Sequence, residues 1–220
     1  MFSVSLDEFK VYDEALLPEQ VFREYEATRP LDLLLHYDFE GIDETEQFRD
    51  KTNNGYDAVP TGTPVIDLGF VGKSALFDVS SKVATISPAL SVSTSGYTIS
   101  TWTEFPLTSG TWRTLVRGDA GDDHVVVDSS GEIGVYDHTT GTNFHGSGYN
   151  VSPLAGWHHL AAVSENGTTT FYIDGISKGE SDHQSLADIS VLGNEQAGDQ
   201  PWGNIDDFKV YGEILSSDQV

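Results

Sequence analysis

No cysteine occurs in the 220 residues, which excludes disulfides, thiolate metal ligands and thiol nucleophiles. That removes the disulfide-stapled class of eukaryotic secreted domains and suits a bacterial or archaeal surface protein. Basic residues are scarce: 11 Lys and Arg stand against 35 Asp and Glu, a net charge of −24. Such a chain repels phosphate backbones and anionic lipid, so neither nucleic acid nor a membrane is an expected partner. The acids are spread along the chain, as on a solvated surface, although their number also suits the collection of divalent cations. Long apolar runs are missing too. None approaches ~18 residues, and Met1-Phe2-Ser3-Val4 lacks the basic and apolar stretches of a signal peptide. Proline is held to 8 while glycine reaches 22, the balance of a fold with many tight turns.

What is present has a period of two. Val65–Leu68, Ala75–Val79, Tyr97–Trp102, Thr114–Arg117 and His124–Asp128 read as short strands, as do Ile133–Tyr136, Trp157–Val163, Thr170–Asp174 and Ile205–Tyr211. All are rich in β-branched and aromatic residues, and Gly, Asn, Asp and Ser bound them. Ser129-Ser130-Gly131-Glu132, Glu165-Asn166-Gly167-Thr168 and Asp174-Gly175 read as hairpin turns. About ten strands with turns every ~8–12 residues predict an all-β, two-sheet antiparallel sandwich. A single helix is expected from Pro18, in a first-turn position, to Tyr25.

One segment occurs twice. Residues 6–21, opening Leu6-Asp7-Glu8-Phe9-Lys10-Val11-Tyr12, match residues 205–220, opening Ile205-Asp206-Asp207-Phe208-Lys209-Val210-Tyr211, at nine of sixteen positions. Repetition at the span of a whole domain points to tandem modules. The expected organisation is therefore 1–30 as the C-terminal tail of a preceding repeat plus linker, and 31–220 as the next domain. The tail is expected to carry an orphan strand and helix. Adjacent repeats of the same chain are then expected neighbours.

Six blocks in order carry a resemblance: Leu35–Glu40, Gly72–Asp78, Tyr97–Trp102, Gly156–Ala161, Phe171–Gly175 and Gly203–Tyr211. Together they resemble the laminin-G-like jelly-roll domains of the concanavalin A-like lectin/glucanase superfamily, over residues 34–217. The resemblance implies a jelly-roll sandwich with one convex and one concave sheet, its first and last strands paired. It also implies a structural calcium between the first-strand region and the closing strand. The matching positions are Glu40, Asp50, Asn53 and Asp206, with Lys51-Thr52 departing from the family's Asp-x-Ser-Gly-Asn loop and leaving Asn53 or Asn54 open. Hard cations take six to eight oxygens, which such residues supply; the bland alternative is a turn at Asp50 and a strand-end hydrogen bond at Asp206.

Alternation assigns Trp102, Trp157, Phe171 and Phe208 to the space between the sheets, with a sugar-stacking platform as the lesser alternative. Trp112 and Trp202 lie in turn-rich stretches, where an exposed indole could stack on a sugar ring, although a loop tryptophan more often caps the edge of the core. Asp119, Asp122 and Asp123, in a glycine-bearing loop, could bind ligand hydroxyls or a second ion. His158 and His159 point to opposite faces, and His36, His124, His138, His145 and His183 have no ligand spacing, so no zinc site is expected. Arg117-Gly118-Asp119 and the two Asn-x-Ser/Thr sequons carry no weight as short motifs.

The superfamily also contains glycoside hydrolases and alginate lyases. The hydrolases' Glu-x-Asp-x-(x)-Glu strand, whose alternate carboxylates share one face, has no counterpart here, since Glu132-Ile133-Gly134-Val135-Tyr136 puts Gly134 and Tyr136 where carboxylates belong. The lyases' Arg-Thr-Glu strand is replaced by Arg113-Thr114-Leu115. The expected function is a non-catalytic, calcium-stabilised carbohydrate-binding module of a secreted or cell-surface protein, its partner a polysaccharide or glycan. The alternative is a protein-binding or spacer repeat of a large adhesin, contacting another surface protein. A glycoside hydrolase without the usual carboxylates is a remote third.

Overall fold

The computed structural model describes residues 11–13, 15–18, 20–21, 29–41, 47–61, 65–78, 83–139, 141, 143–194 and 200–220. The chain divides into two compact units, Met1–Leu31 with Gln219, and Asp32–Asp218 with Val220. In the first, Pro18, Gln20 and Val21 are helical, and the Leu17 N–H donates to Gln20 Oε1 at 2.7 Å. The expected first-copy strand falls largely outside the described residues; Val11 and Tyr12, its last two positions, are exposed and not in a strand.

Among the described residues, the second unit is built from fifteen strands. In chain order they are β1 Leu33–Tyr37, β2 Ala58–Pro60, β3 Val65–Leu68, β4 Lys73–Phe77, β5 Ala84–Leu90, β6 Tyr97–Phe105 and β7 Arg113–Gly118. Then follow β8 Asp123–Val127, β9 Glu132–Asp137, β10 Asn143–Asn150, β11 Gly156–Glu165, β12 Thr168–Ile173, β13 Ile176–Ser181, β14 Ile189–Leu192 and β15 Gly203–Tyr211. One sheet runs β13-β12-β11-β6-β15-β4-β3, with β1 also paired to β15; the other runs β10-β9-β8-β7-β14-β5-β2. Every pairing is antiparallel, a two-sheet jelly-roll sandwich.

The core lies between the sheets. Leu35, Tyr37, Leu160, Phe171, Ile205 and Phe208 enter from the eight-stranded sheet, and Leu115, Val125, Ile133, Val135 and Ile189 from the seven-stranded one. Each such side chain contributes roughly 1.5–3 kcal/mol by leaving water. Tyr37 stacks on Phe208 at 6.2 Å, which ties β1 to β15.

Two of the four expected core aromatics are placed differently. Phe171 and Phe208 are fully buried, but Trp102 and Trp157 are half-buried on the outer face of the eight-stranded sheet. Trp102 pairs with His159, and Phe70 stacks on it at 3.5 Å and 11°. The inner face of β6 is taken instead by Ile99, Thr101 and Thr103. Their hydroxyls are satisfied there: Thr101 Oγ1 donates to the Asp206 carbonyl at 2.9 Å and Thr103 Oγ1 to the Asn204 carbonyl at 3.2 Å. Two buried threonines with partners let the tryptophans face outward.

Candidate functional site

On β9, Ile133 and Val135 point into the core, so Glu132, Gly134 and Tyr136 point outward. Register then sets their neighbours. Phe144 of β10 lies opposite Tyr136, Gly146 opposite Gly134, and Asp123 of β8 opposite Tyr136 on the other side. Arg117 of β7 lies opposite Asp123. One row across the seven-stranded sheet therefore reads Phe144, Tyr136, Asp123, Arg117, beside a floor of two glycines.

Trp112 leans over this row. Its ring meets Tyr136 edge-on at 5.5 Å and Phe144 at 5.3 Å, with interplanar angles of 83° and 85°. The neighbouring Arg113 fixes the approach: its guanidinium donates to the Thr108 carbonyl at 3.1 Å and the Pro201 carbonyl at 3.0 Å. All three aromatic residues are half-buried. The polar end of the row is ordered as well, since Arg117 donates to Asp123 Oδ1 at 3.1 Å. His138 Nε2 is 3.5 Å from Asp123 Oδ2, and the His138 ring lies 4.5 Å from that of Tyr136. The arrangement is an open aromatic patch with a fixed ion pair at its side. Two depressions elsewhere, about 40 Å³ beside Thr108 and Ser130 and about 240 Å³ beside Asp38 and Glu40, do not include it.

The expected ligand-binding residues part company. Trp112 and Asp123 lie at this patch; Tyr136, Phe144 and Arg117 join them. Asp122 is buried and turned inward, accepting from the His138 N–H at 2.9 Å and from Ser185 Oγ at 3.4 Å, while Asp119 is exposed at the loop tip. For Trp202 the core reading holds and the ligand-binding assignment is corrected. It is 1% exposed, and its indole N–H donates to Thr103 Oγ1 at 2.6 Å, so no face is left for a sugar. Pro201 and Trp202 turn into the core instead of passing over the surface.

The expected metal residues also fall into two groups. β15 bulges between Asp206 and Lys209, with Asp207 at φ 51°, and this turns Asp206 toward the 69–73 turn. Asp206 Oδ2 accepts the Val71 N–H at 2.9 Å, and Glu40 Oε1 accepts the Lys73 N–H at 3.2 Å. Glu40 fills the space beside Gly72, where φ is +68° and an added Cβ would lie 2.0 Å from Oε1. A Cβ on Gly69 would meet the Lys73 carbonyl oxygen at 2.5 Å and Asp206 Oδ2 at 2.6 Å. Asp206 Oδ2 and the Lys73 carbonyl oxygen thus lie together beside Gly69, with Glu40 at the Gly72 end of the same turn, oxygens of the kind from which a hard cation draws part of its shell. Burial holds the Asp206 carboxyl above the usual carboxylate range against the N–H bonds of Val71 and Asp207, and the negative Asp207 and Glu40 add to the rise.

Asp50 and Asn53 are held elsewhere. The Asp50 carboxylate accepts the N–H groups of His36, Thr52, Asn54 and Tyr56 and the Thr52 hydroxyl, at 2.7 to 3.4 Å. That set of donors makes it the anchor of its own turn. Asn53 is exposed, at φ 63°.

Residues 78–220 match the family model described as the concanavalin A-like lectin/glucanases superfamily. The chain belongs to that superfamily. No curated protein matches it. Among solved structures it is similar to domain 4 of AbnA, a GH43 extracellular arabinanase from Geobacillus stearothermophilus, in complex with arabinotriose. That likeness has a TM-score of 0.67 at 22% identity, covering 87% of this chain and 97% of the domain. It is also similar to the botulinum neurotoxin serotype D binding domain, at TM-score 0.59 and 16% identity over 86% of this chain and 49% of that one. Trypanosoma rangeli sialidase gives 0.58 and 14% over 91% and 36%, so the likeness spans about a third of that chain. At these identities the likeness concerns the fold. No helix among the described residues is long and apolar enough to cross a membrane.

Proposed function

We propose that the chain is a non-catalytic carbohydrate-binding module, stabilised by calcium, of a secreted or cell-surface protein with repeated domains. The observation that carries this is the aromatic patch of Trp112, Tyr136 and Phe144 on the outward face of the seven-stranded sheet, flanked by the Asp123–Arg117 pair. Rigid rings supply apolar area against the C–H face of a sugar at low entropic cost, and Arg117, held in place by the buried Asp123, supplies hydrogen-bond donors for hydroxyls. An arabinanase domain of the same fold, solved with arabinotriose, supports an oligosaccharide as the class of ligand. The two carboxylates at this face each accept from a fixed donor, Asp123 from Arg117 and Glu132 from the Gly148 N–H at 2.7 Å, which favours holding a ligand over proton transfer. Glu40 and Asp206 would hold the calcium, which would supply positive charge between two like-charged groups and tie β15 to the 69–73 turn. Binding of arabino-, gluco- and sialo-oligosaccharides by wild type and Trp112→Ala tests the reading; silence across the panel removes it.

The segment shared by residues 6–21 and 205–220 favours a second reading, a spacer or protein-binding repeat of an adhesin. In that case the domain's contribution is reach and avidity, and the aromatic patch binds no sugar.

A further inference from the structure

The structure assigns a transition-metal site to Asp137, His145 and His183, with Zn²⁺ as the ion that suits it. Asp137 and His145 lie on the paired strands of one hairpin, and His183 comes from a third element. Asp137 ends β9, His145 lies on β10, and His183 follows β13 of the opposite sheet. Asn143 pairs with Asp137 and His145 with Val135, so Asp137 and His145 share the inward face of the β9–β10 hairpin. The loop after β13 brings His183 to them, anchored by the Thr169 hydroxyl on the His183 carbonyl at 2.8 Å. One ligand atom from each of the three lies within 4.8 Å of the other two.

Three atoms so spaced lie at most about 2.8 Å from a common centre, against ~2.0–2.2 Å in zinc sites, so closing on an ion takes movements under about 1 Å and a tilt of the two rings toward each other. The ring nitrogens are prepared for it. His145 Nδ1 is 2.6 Å from Asp182 Oδ1. A carboxylate only accepts, so Nδ1 carries the proton and Nε2 presents its lone pair. This is the carboxylate–histidine–metal arrangement in which an outer carboxylate fixes the tautomer. The Nε2 atoms of His145 and His183 are both buried and have no hydrogen-bond partner among the described residues. Their rings stack at 4.7 Å and 22°. Two buried ring nitrogens without a partner are a costly arrangement unless an ion or a donor takes up their lone pairs. Imidazole with one carboxylate suits zinc and its late first-row neighbours rather than calcium, and a fourth position is left for water or a ligand atom. In a chain without cysteine the ion would clip the two sheets together at this edge.

The test uses the untagged full chain. Zn²⁺ titrated calorimetrically should bind at one ion per chain, with affinity reduced at least tenfold in His145→Gln and in His183→Gln. Asp182→Asn, which frees the tautomer, should weaken binding about tenfold or more. Asp206→Asn should leave zinc binding unchanged, which separates this site from the calcium site. In unmutated protein, ¹⁵N-resolved imidazole spectra should show Zn²⁺ moving the Nε2 resonances of His145 and His183 before those of His36 or His158. Equal zinc affinity in folded wild type and His145→Gln, or zinc moving other histidines first, overturns the assignment.

Discussion

Replacing Asp206 by Asn separates two roles that a buried carboxylate at a strand bulge can have. Asp206 is 1% exposed, accepts the Val71 N–H at 2.9 Å, and sits among the like charges of Asp207 and Glu40. Asn keeps an acceptor oxygen for that N–H and can direct its own N–H₂ toward Glu40 or the Lys73 carbonyl, while removing the charge. If the site exists to hold a cation, the variant's midpoint in EDTA equals or exceeds that of wild type. Calcium at a hundred times its Kd adds about 2.7 kcal/mol to wild type. For a domain of this size that is a rise of roughly 5–10 °C; Asp206→Asn should show none of it. The pH dependence has a definite sign. The folded Asp206 carboxyl keeps its proton above the ordinary 3.8, so ionising it subtracts stability as pH rises through that range in EDTA. The calcium increment should therefore be large at pH 7 and vanish near pH 4. Were Asp206 only a structural acceptor, losing its charge-assisted bonds would cost about 1.5–3 kcal/mol. Thermal scans showing a lower midpoint for the variant in EDTA, with the calcium rise intact, would refute the cation reading.

Two further outcomes follow from buried groups. Trp202→Phe removes the indole N–H from Thr103 and leaves a gap in the core, and urea unfolding should show a loss of about 2–3 kcal/mol; a loss under about 0.5 kcal/mol would contradict its placement. Burial pushes the His124 pKa from 6.5 down to about 4, against the opposing pull of the Ala187 backbone and Asp188 and with help from His183. The unfolded chain then takes up a proton first as pH falls, so the stability gap between wild type and His124→Gln in EDTA should narrow by roughly 3 kcal/mol from pH 7 to pH 4.

Much of the sandwich is legible in the sequence because a period of two and glycine turns are local signals. Alternation gives two faces without saying which is inner, and Trp102 and Trp157 take the outer one. Thr101 and Thr103 take the inner face only because the carbonyls of Asp206 and Asn204, about a hundred residues away, accept their hydroxyls. Trp202 reads as a loop indole for the same reason: its partner Thr103 lies 99 residues off. Strand β10 has no clear signal, since Gly146 and Gly148 interrupt it, and with it Phe144 and His145 are lost to sequence reading. Of the aromatic patch only Trp112 is visible beforehand; pairing of β9 with β10 adds Tyr136 and Phe144. Glu40 and Asp206 are named through resemblance alone, and the hydrogen bonds that make Asp50 the anchor of its own turn are not encoded by motif spacing.

On the proposed reading, the outward face of the seven-stranded sheet binds sugar through its aromatic patch. Titration calorimetry of the oligosaccharide that binds best, against wild type and Trp112→Ala in the presence of calcium, tests it most directly. Truncating a central aromatic anchor should cost at least about 2 kcal/mol, a rise in Kd of roughly 30-fold, with the fold unchanged by circular dichroism. Sugar binding of equal strength in the two proteins would contradict the claim.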